Sequence, residues 1–176
     1  MKDSKLIQKL HSGDKEAAGI IIERYYEDIY RFCLYMVQIE ADAYDITQET
    51  FLKFMKYGSS YKHNNLKGYL LTIARNICFD YFRNKSQKAV AADWEELDKH
   101  QTRTDRMAET EDAVYLKYLL KELSEDIREV VILRTYEEMR FKDIAKIMGC
   151  SLSTAKSRYR LGISQLKRMM ENEYER

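Results

Sequence analysis

Across 176 residues the chain has no proline and only six glycines, so it lacks the ring-fixed turns and left-handed hinges that punctuate sheet proteins. Apolar residues recur at close to helical spacing almost throughout, and no alternating segment of strand length occurs. The expectation is an all-α protein. Cysteine is scarce and odd in number. Cys33, Cys78 and Cys150 lie far apart among apolar neighbours and form no C-x-x-C pair, which argues against a disulfide framework and for small core residues. The three histidines, His11, His63 and His100, fall in separate polar segments. No carboxylate–histidine spacing suits a metal or a general base, so neither an enzyme nor a bound cofactor is expected. No apolar run reaches the roughly 18 residues that a membrane-spanning helix needs. The segment MKDSKLIQKLHSGD also lacks the apolar stretch of a signal peptide, so the expectation is a cytoplasmic protein with no membrane insertion of its own.

A surplus of one charge sign is missing as well, since the formal net charge is only +1. That total hides a segregated pattern. Residues 62–88 carry six Lys/Arg against one Asp, residues 89–112 three basic against eight acidic, and residues 139–170 eight basic against one acidic. Two basic blocks flank an acidic one. Phosphate neutralisation depends on such local blocks and not on overall charge.

Periodicity and caps divide the chain into two small helical domains, 1–86 and 109–176, joined by an acidic linker over 87–108. The linker lacks the Pro and Gly that would break a helix. In the first domain, helices are expected over about 3–10, from an Asp14 cap to about Met36, from Asp42 to about Lys56, and over about Leu66–Asn84. The second is expected to hold four, near 109–122, 125–136, 140–148 and 152–171.

The second domain carries a helix-turn-helix pattern. Ile144, Ala145 and Met148 share one face, Gly149 stands where a helix would end left-handed, and Ser151 is a good cap for the next helix. On that next helix Ala155, Tyr159, Gly162, Leu166 and Met170 fall on one face. Ser153, Ser157, Arg160, Ser164 and Lys167 fall opposite, with Lys156 and Arg168 flanking. Hydroxyls and cations on one stripe match base edges and phosphates in a major groove. A merely solvated basic face has a similar composition, and the turn ahead of it favours the DNA reading. From Leu123 to Arg168 the chain resembles the carboxy-terminal domain of extracytoplasmic-function sigma factors, with the family's T-V-K-S-R present as Thr154-Ala155-Lys156-Ser157-Arg158. Two departures stand out: Ser124 replaces a frequent proline, and Leu161-Gly162-Ile163 replaces a frequent Arg-Ala-Arg. The second should leave fewer phosphate contacts and loosen the helix by about 1 kcal/mol relative to Ala at 162.

The first domain extends the resemblance. In D-A-Y-D-I-T-Q-E-T-F, Ala43, Thr47, Thr50, Phe51 and Phe54 point one way and Asp42, Asp45, Gln48, Glu49 and Leu52 the other. An acidic stripe beside a basic block would repel DNA and suits a protein partner, although a solvated face with Asp42 as cap is equally compatible with the residues alone. The stretch is similar to the family's D-A-E-D-L-V-Q-E-T-F, the helix that docks on the polymerase clamp. Farther on, Leu66, Leu70, Ile73, Ile77 and Tyr81 form a buried stripe, beside a polar stripe of Tyr69, Thr72, Asn76, Asp80 and Arg83 with Arg75 and Phe79 alongside. Aromatics mixed with hydrogen-bonding side chains suit unstacked single-stranded bases. This segment resembles the family's W-L-x-x-I-A-R-N-x-x-x-D-x-x-R, with Tyr69 in place of the Trp.

What the resemblance implies is a non-catalytic sigma factor that directs core RNA polymerase to a set of promoters and assists melting at initiation. Ser153, Thr154, Lys156, Ser157, Arg158, Arg160 and Lys167 would read the −35 duplex. Tyr61 in the loop Tyr57–Asn65, with Tyr69, Thr72, Arg75, Asn76, Asp80 and Arg83, would hold the −10 single strand. Asp42, Asp45, Gln48 and Glu49 would bind polymerase, and the linker would thread its basic channel. An anti-sigma factor is the further partner implied. A helix-turn-helix regulator that is not a polymerase subunit is the competing reading. It would require an effector or phosphoacceptor domain, usually with strands, in the first half.

Overall fold

Helix α1 (Asp3–His11) leads through a short turn into α2 (Lys15–Val37), whose first turn is fixed by Asp14 accepting a hydrogen bond from the Glu16 amide at 2.9 Å. The computed structural model describes residues 1–62, 65–91 and 110–175, and among them only helical secondary structure occurs. The end of α2 is set by Gln38, left-handed at φ 69°, whose side-chain amide donates to the Tyr35 carbonyl at 2.9 Å. Helix α3 (Glu40–Tyr57) follows, then one 3-10 turn (Gly58–Ser60) and α4 (Leu66–Ala91). Beyond the linker come α5 (Glu111–Lys121), α6 (Glu125–Thr135), α7 (Phe141–Met148) and α8 (Leu152–Tyr174).

The first half packs α2, α3 and α4 around Ile21, Ile29, Phe32, Met36, Phe54, Leu66 and Leu70. Thr47 and Thr50 are buried with them, and their hydroxyls donate to the carbonyls of Ala43 and Ile46 one turn back at 2.7 and 2.8 Å. Each buried polar group is thereby satisfied within its own helix. Helix α4 continues through Ala91, past the expected end at Asn84 and into the stretch assigned to the linker. Lys, Gln and Ala over 85–91 are good helix formers with no breaker among them. The acidic part of the linker lies outside the described residues.

In the second half Gly149 ends α7 at φ +64°, with the Cys150 amide returning to the Ala145 carbonyl at 3.0 Å. Ser151 then caps α8, accepting from the Thr154 amide at 3.1 Å. Ser124 holds the cap position of α6 without a side-chain capping bond. Helices α6 and α8 cross at Gly162, which is buried. A β-carbon there would stand 2.6 Å from Val131 Cγ2 and 2.8 Å from Ile127 Cγ2. The expected loosening of α8 by this glycine is therefore incomplete: the missing side chain is what lets the helices meet.

The two halves also meet each other. Helix α2 touches α6, and α4 touches α7, so that the buried apolar residues of both halves form one contiguous cluster. Tyr35 of α2 lies against Tyr136, just beyond α6, with ring centroids 4.8 Å apart.

Gly162→Ala tests the crossing. Val131 and Ile127 are β-branched and stiff in a helix, so neither yields readily. Overpacking of roughly 1–3 kcal/mol should outweigh the propensity gain of about 1 kcal/mol, and thermal denaturation should show a lowered Tm.

Candidate nucleic-acid interface

Helix α8 presents Ser153, Ser157, Arg160, Ser164 and Lys167 to solvent, while Ala155 and Gly162 are buried beneath and Lys156 is half-buried at the edge. The separation of faces expected from the sequence is present, except that Met170 at the far end is 40% exposed. Two of the predicted reading residues are engaged at home. The Thr154 hydroxyl accepts from the Ser151 hydroxyl at 2.8 Å, which ties it to the cap. The Arg158 guanidinium lies 3.6 Å from Asp126 on α6, turned back toward its own domain.

The residues expected to hold a single strand fall into three groups along α4 and the loop before it. Tyr61 is buried, its ring 4.7 Å from that of Tyr69, and Tyr69 meets Phe54 edge-on at 6.2 Å. With Thr72, whose hydroxyl donates to the Gly68 carbonyl at 2.8 Å, they line a groove of about 860 Å³. The opposite wall of this groove is Met139, Arg140 and Ile147 of the second half. Asn76, Asp80 and Arg83 lie farther along on the open surface, the last two joined at 2.6 Å. Between the groups sits Arg75, stacked 4.4 Å from the Phe79 ring and ion-paired at 2.6 Å with Glu129 of α6.

On α3, Asp45, Gln48 and Glu49 are exposed, and Glu49 pairs with Lys53 at 3.0 Å. Asp42 is placed differently: it accepts a hydrogen bond from the Tyr81 hydroxyl at 2.7 Å, across to α4. Burial and then this hydrogen bond push the Tyr81 hydroxyl well above its ordinary pKa. Tyr44, Leu52 and Met55 are more than half exposed on the same helix. Large apolar side chains interleaved with acids exceed what a merely solvated face requires.

Five charged residues at the heart of the arrangement, Asp28, Arg31, Lys67, Glu129 and Glu137, escape a reading of the sequence. The Glu129 side chain has no solvent exposure, and neither has that of Glu137, in the turn after α6. Glu137 receives Arg31 of α2 at 3.1 Å and Lys67 of α4 at 2.9 Å, and Asp28 backs both cations at 2.8 and 3.0 Å. Burial alone would lower the pKa of Lys67, but its bonds to Glu137 and Asp28 raise it. Burial pushes the Glu129 carboxyl up to about 7, with Arg75 pulling the other way. Its Oε2 has no hydrogen-bond partner. The partners of Arg75 and Arg31 lie 54 and 106 positions away, beyond any helical wheel.

Residues 21–88 match Sigma-70 region 2, and residues 113–166 match Sigma-70 region 4. The chain is 30% identical over 138 residues to the ECF RNA polymerase sigma factor SigM of Bacillus subtilis, covering 78% of this chain and 85% of that one. To SigX of the same organism it is 28% identical over 165 residues, with 89% and 85% covered. Among solved structures it superposes with TM-score 0.73 on the sigma factor RpoE in complex with the anti-sigma factor NepR from Bartonella quintana, at 24% identity over 85% of this chain and 94% of that chain. That likeness establishes the shared fold.

The raised carboxyl of Glu129 has a consequence for stability. Its pKa is higher in the folded than in the unfolded chain, so the folded state keeps a proton that the unfolded state releases. The stabilisation is complete below the ordinary Glu range and is lost as pH climbs through about 7. Between about pH 5 and pH 8 the loss should be on the order of 2–3 kcal/mol, read as a falling Tm. Glu129→Gln should flatten that slope; an unchanged slope would place the responsible group elsewhere.

Proposed function

Since the chain belongs to the extracytoplasmic-function sigma factors, non-catalytic subunits that direct RNA polymerase to particular promoters, we propose that its two halves divide the promoter between them. Residues 109–176 take the −35 duplex, with α8 in the major groove. Arg160 and Lys167 are its central cations, Ser153 and Ser157 its hydroxyl contacts and Lys156 its edge contact. Thr154 and Arg158 must leave their present partners to join them.

Residues 1–86 take the other tasks. Asp45, Gln48 and Glu49, with the apolar side chains around them, dock on the polymerase clamp, and Asp42 supports that helix from behind through Tyr81. The tyrosine pair Tyr61 and Tyr69, with Thr72, Arg75, Asn76, Asp80 and Arg83, captures the melted −10 strand. Residues 87–108, acidic in sequence, thread the polymerase between these sites. Work on the chromosome puts the protein in the cytoplasm, and no described helix is long and apolar enough to cross a membrane. An anti-sigma factor is its proposed regulator, by analogy with the relative solved together with one. The observation that carries the reading is the exposed hydroxyl and cation face of α8, set by the Gly149 and Ser151 caps. A free-standing regulator would use such a face too, but family membership removes that reading.

Three variants test the division. Asp45→Lys with Glu49→Lys should abolish co-purification with core polymerase while leaving stability nearly unchanged, since both side chains are exposed. Wild-type recovery of polymerase would refute the docking face. Arg160→Ala should cost roughly 1–3 kcal/mol at one −35 base pair and relax discrimination there. Asn76→Ala should leave −35 binding intact and impair opening, because a captured base offsets a few kcal/mol of unstacking. Comparing a promoter pre-melted across −10 with the same promoter fully paired separates the two effects. An Asn76→Ala protein that matches wild type on every template would show that the first half reads no bases.

A further inference from the structure

Helix α8 displays one large apolar side chain among the groups assigned to DNA. Leu161 is 49% exposed, although its neighbours on that arc are hydroxyls and cations. It stands one turn after Ser157 and one turn before Ser164, with Arg160 beside it, and all three are exposed. The packing beneath sets this display. Gly162 is buried in the crossing with α6, and each residue turns a helix by about 100°, so position 161 is carried away from the domain. Leucine here is one of the chain's departures from the family pattern, and no role has yet been given to it.

We propose that Leu161 is a specificity-determining residue, packing on the C5 methyl group of a thymine in the −35 element. The proposal rests on the assignment of α8 to that duplex. Base edges in the major groove are hydrogen-bond donors and acceptors, and the thymine methyl is their apolar exception. A leucine laid on a polar edge strips its water and returns no hydrogen bond, which is unfavourable. Laid on a methyl group, it removes apolar surface of both partners from water. Ser157, Ser164 and Arg160 around it supply hydrogen bonds to adjoining edges and phosphates, which hold the leucine in the groove. The same polar surround argues against a protein partner at this spot. On α3, where docking is assigned, Tyr44, Leu52 and Met55 are exposed on one helix, whereas Leu161 is ringed by polar groups. Cytosine has no methyl group here and presents a donor where thymine presents an acceptor, so the contact separates the two pyrimidines.

Replacing thymine by deoxyuridine removes that methyl group and nothing else. The holoenzyme, the full chain bound to core polymerase, first selects its −35 element from a randomised duplex pool. Each thymine of the selected element, on either strand, is then changed singly to deoxyuridine. One such change should weaken holoenzyme binding by about fourfold, the effect of one buried methyl group. Leu161→Ala should bind the thymine and deoxyuridine duplexes equally, and its fold is safe because alanine is the better helix former at an exposed position. Leu161→Met, which stays apolar, should keep the preference. The proposal is overturned if the parent is indifferent to every deoxyuridine, or if Leu161→Ala still prefers thymine. Loss of core polymerase recovery by Leu161→Ala with the thymine preference intact would also overturn it, and would assign the leucine to a protein contact. Arg160→Ala separates this failure from that of the underlying reading. If Arg160→Ala relaxes the −35 preference and Leu161→Ala does not, α8 remains the reader and the thymine contact falls. If neither changes any −35 preference, both fall.

Discussion

Arg128 is the residue on which the arrangement of the two halves turns. It is 8% exposed, and among the described residues no carboxylate is hydrogen-bonded to it. Its guanidinium instead donates to the carbonyls of Leu120, Lys121 and Leu123 at the end of α5, at 2.8 to 3.1 Å. It also donates to the Met36 carbonyl at the end of α2, at 2.6 Å. Helix carboxy-termini leave carbonyls without intrahelical partners and carry partial negative charge, so two such ends make a ready anionic socket. One planar donor with five N–H groups fills it, whereas an ammonium could not reach both ends in this geometry. Burial lowers the pKa of Arg128, but an arginine starts high enough to remain charged. With α2 and α5 pinned at one point, α6 lies along α2. Glu129 is then carried to Arg75, and the turn holding Glu137 to Arg31 and Lys67.

This explains what was legible in the sequence and what was not. The helices and the two faces of α3 and α8 are written in local spacing, because each helix buries one stripe whatever it packs against. Gly149 and Ser151 are legible for a similar reason, since a left-handed stop and an oxygen cap are decided by one residue each. The docking of the halves is different. Arg128 and Glu129 sit beside Val130 and Val131, and on a wheel they are merely charges in an apolar helix. Nothing local says that their partners lie on α2 and α4. Gly162 misleads for the converse reason: its propensity cost is visible in the sequence, whereas the closeness of Ile127 and Val131 is tertiary. Asp42 reads as part of an acidic stripe, and only the position of Tyr81 reveals that it is already hydrogen-bonded.

Helices α8 and α4 then differ in how they are held. Helix α8 is set by contacts within its own half: the Gly149 stop, the Ser151 cap and the Gly162 crossing. Helix α4 is instead partly covered by the other half, through Glu129 on Arg75 and Glu137 on Lys67. The basic block of α8 is thus largely displayed to solvent, whereas that of α4 is partly paired within the chain.

That asymmetry follows from the kind of contact used. A purely apolar seam between the halves would be stable and indifferent to nucleic acid, since it would offer phosphate nothing. The seam here contains Tyr35 and Tyr136, but its charged contacts set Arg31, Lys67 and Arg75 of the first half against Glu129 and Glu137 of the second. Such contacts add little net stability in burial, although removing one partner leaves an uncompensated buried charge. Glu129 and Glu137 therefore set which surfaces of the two halves meet, more than how tightly they hold.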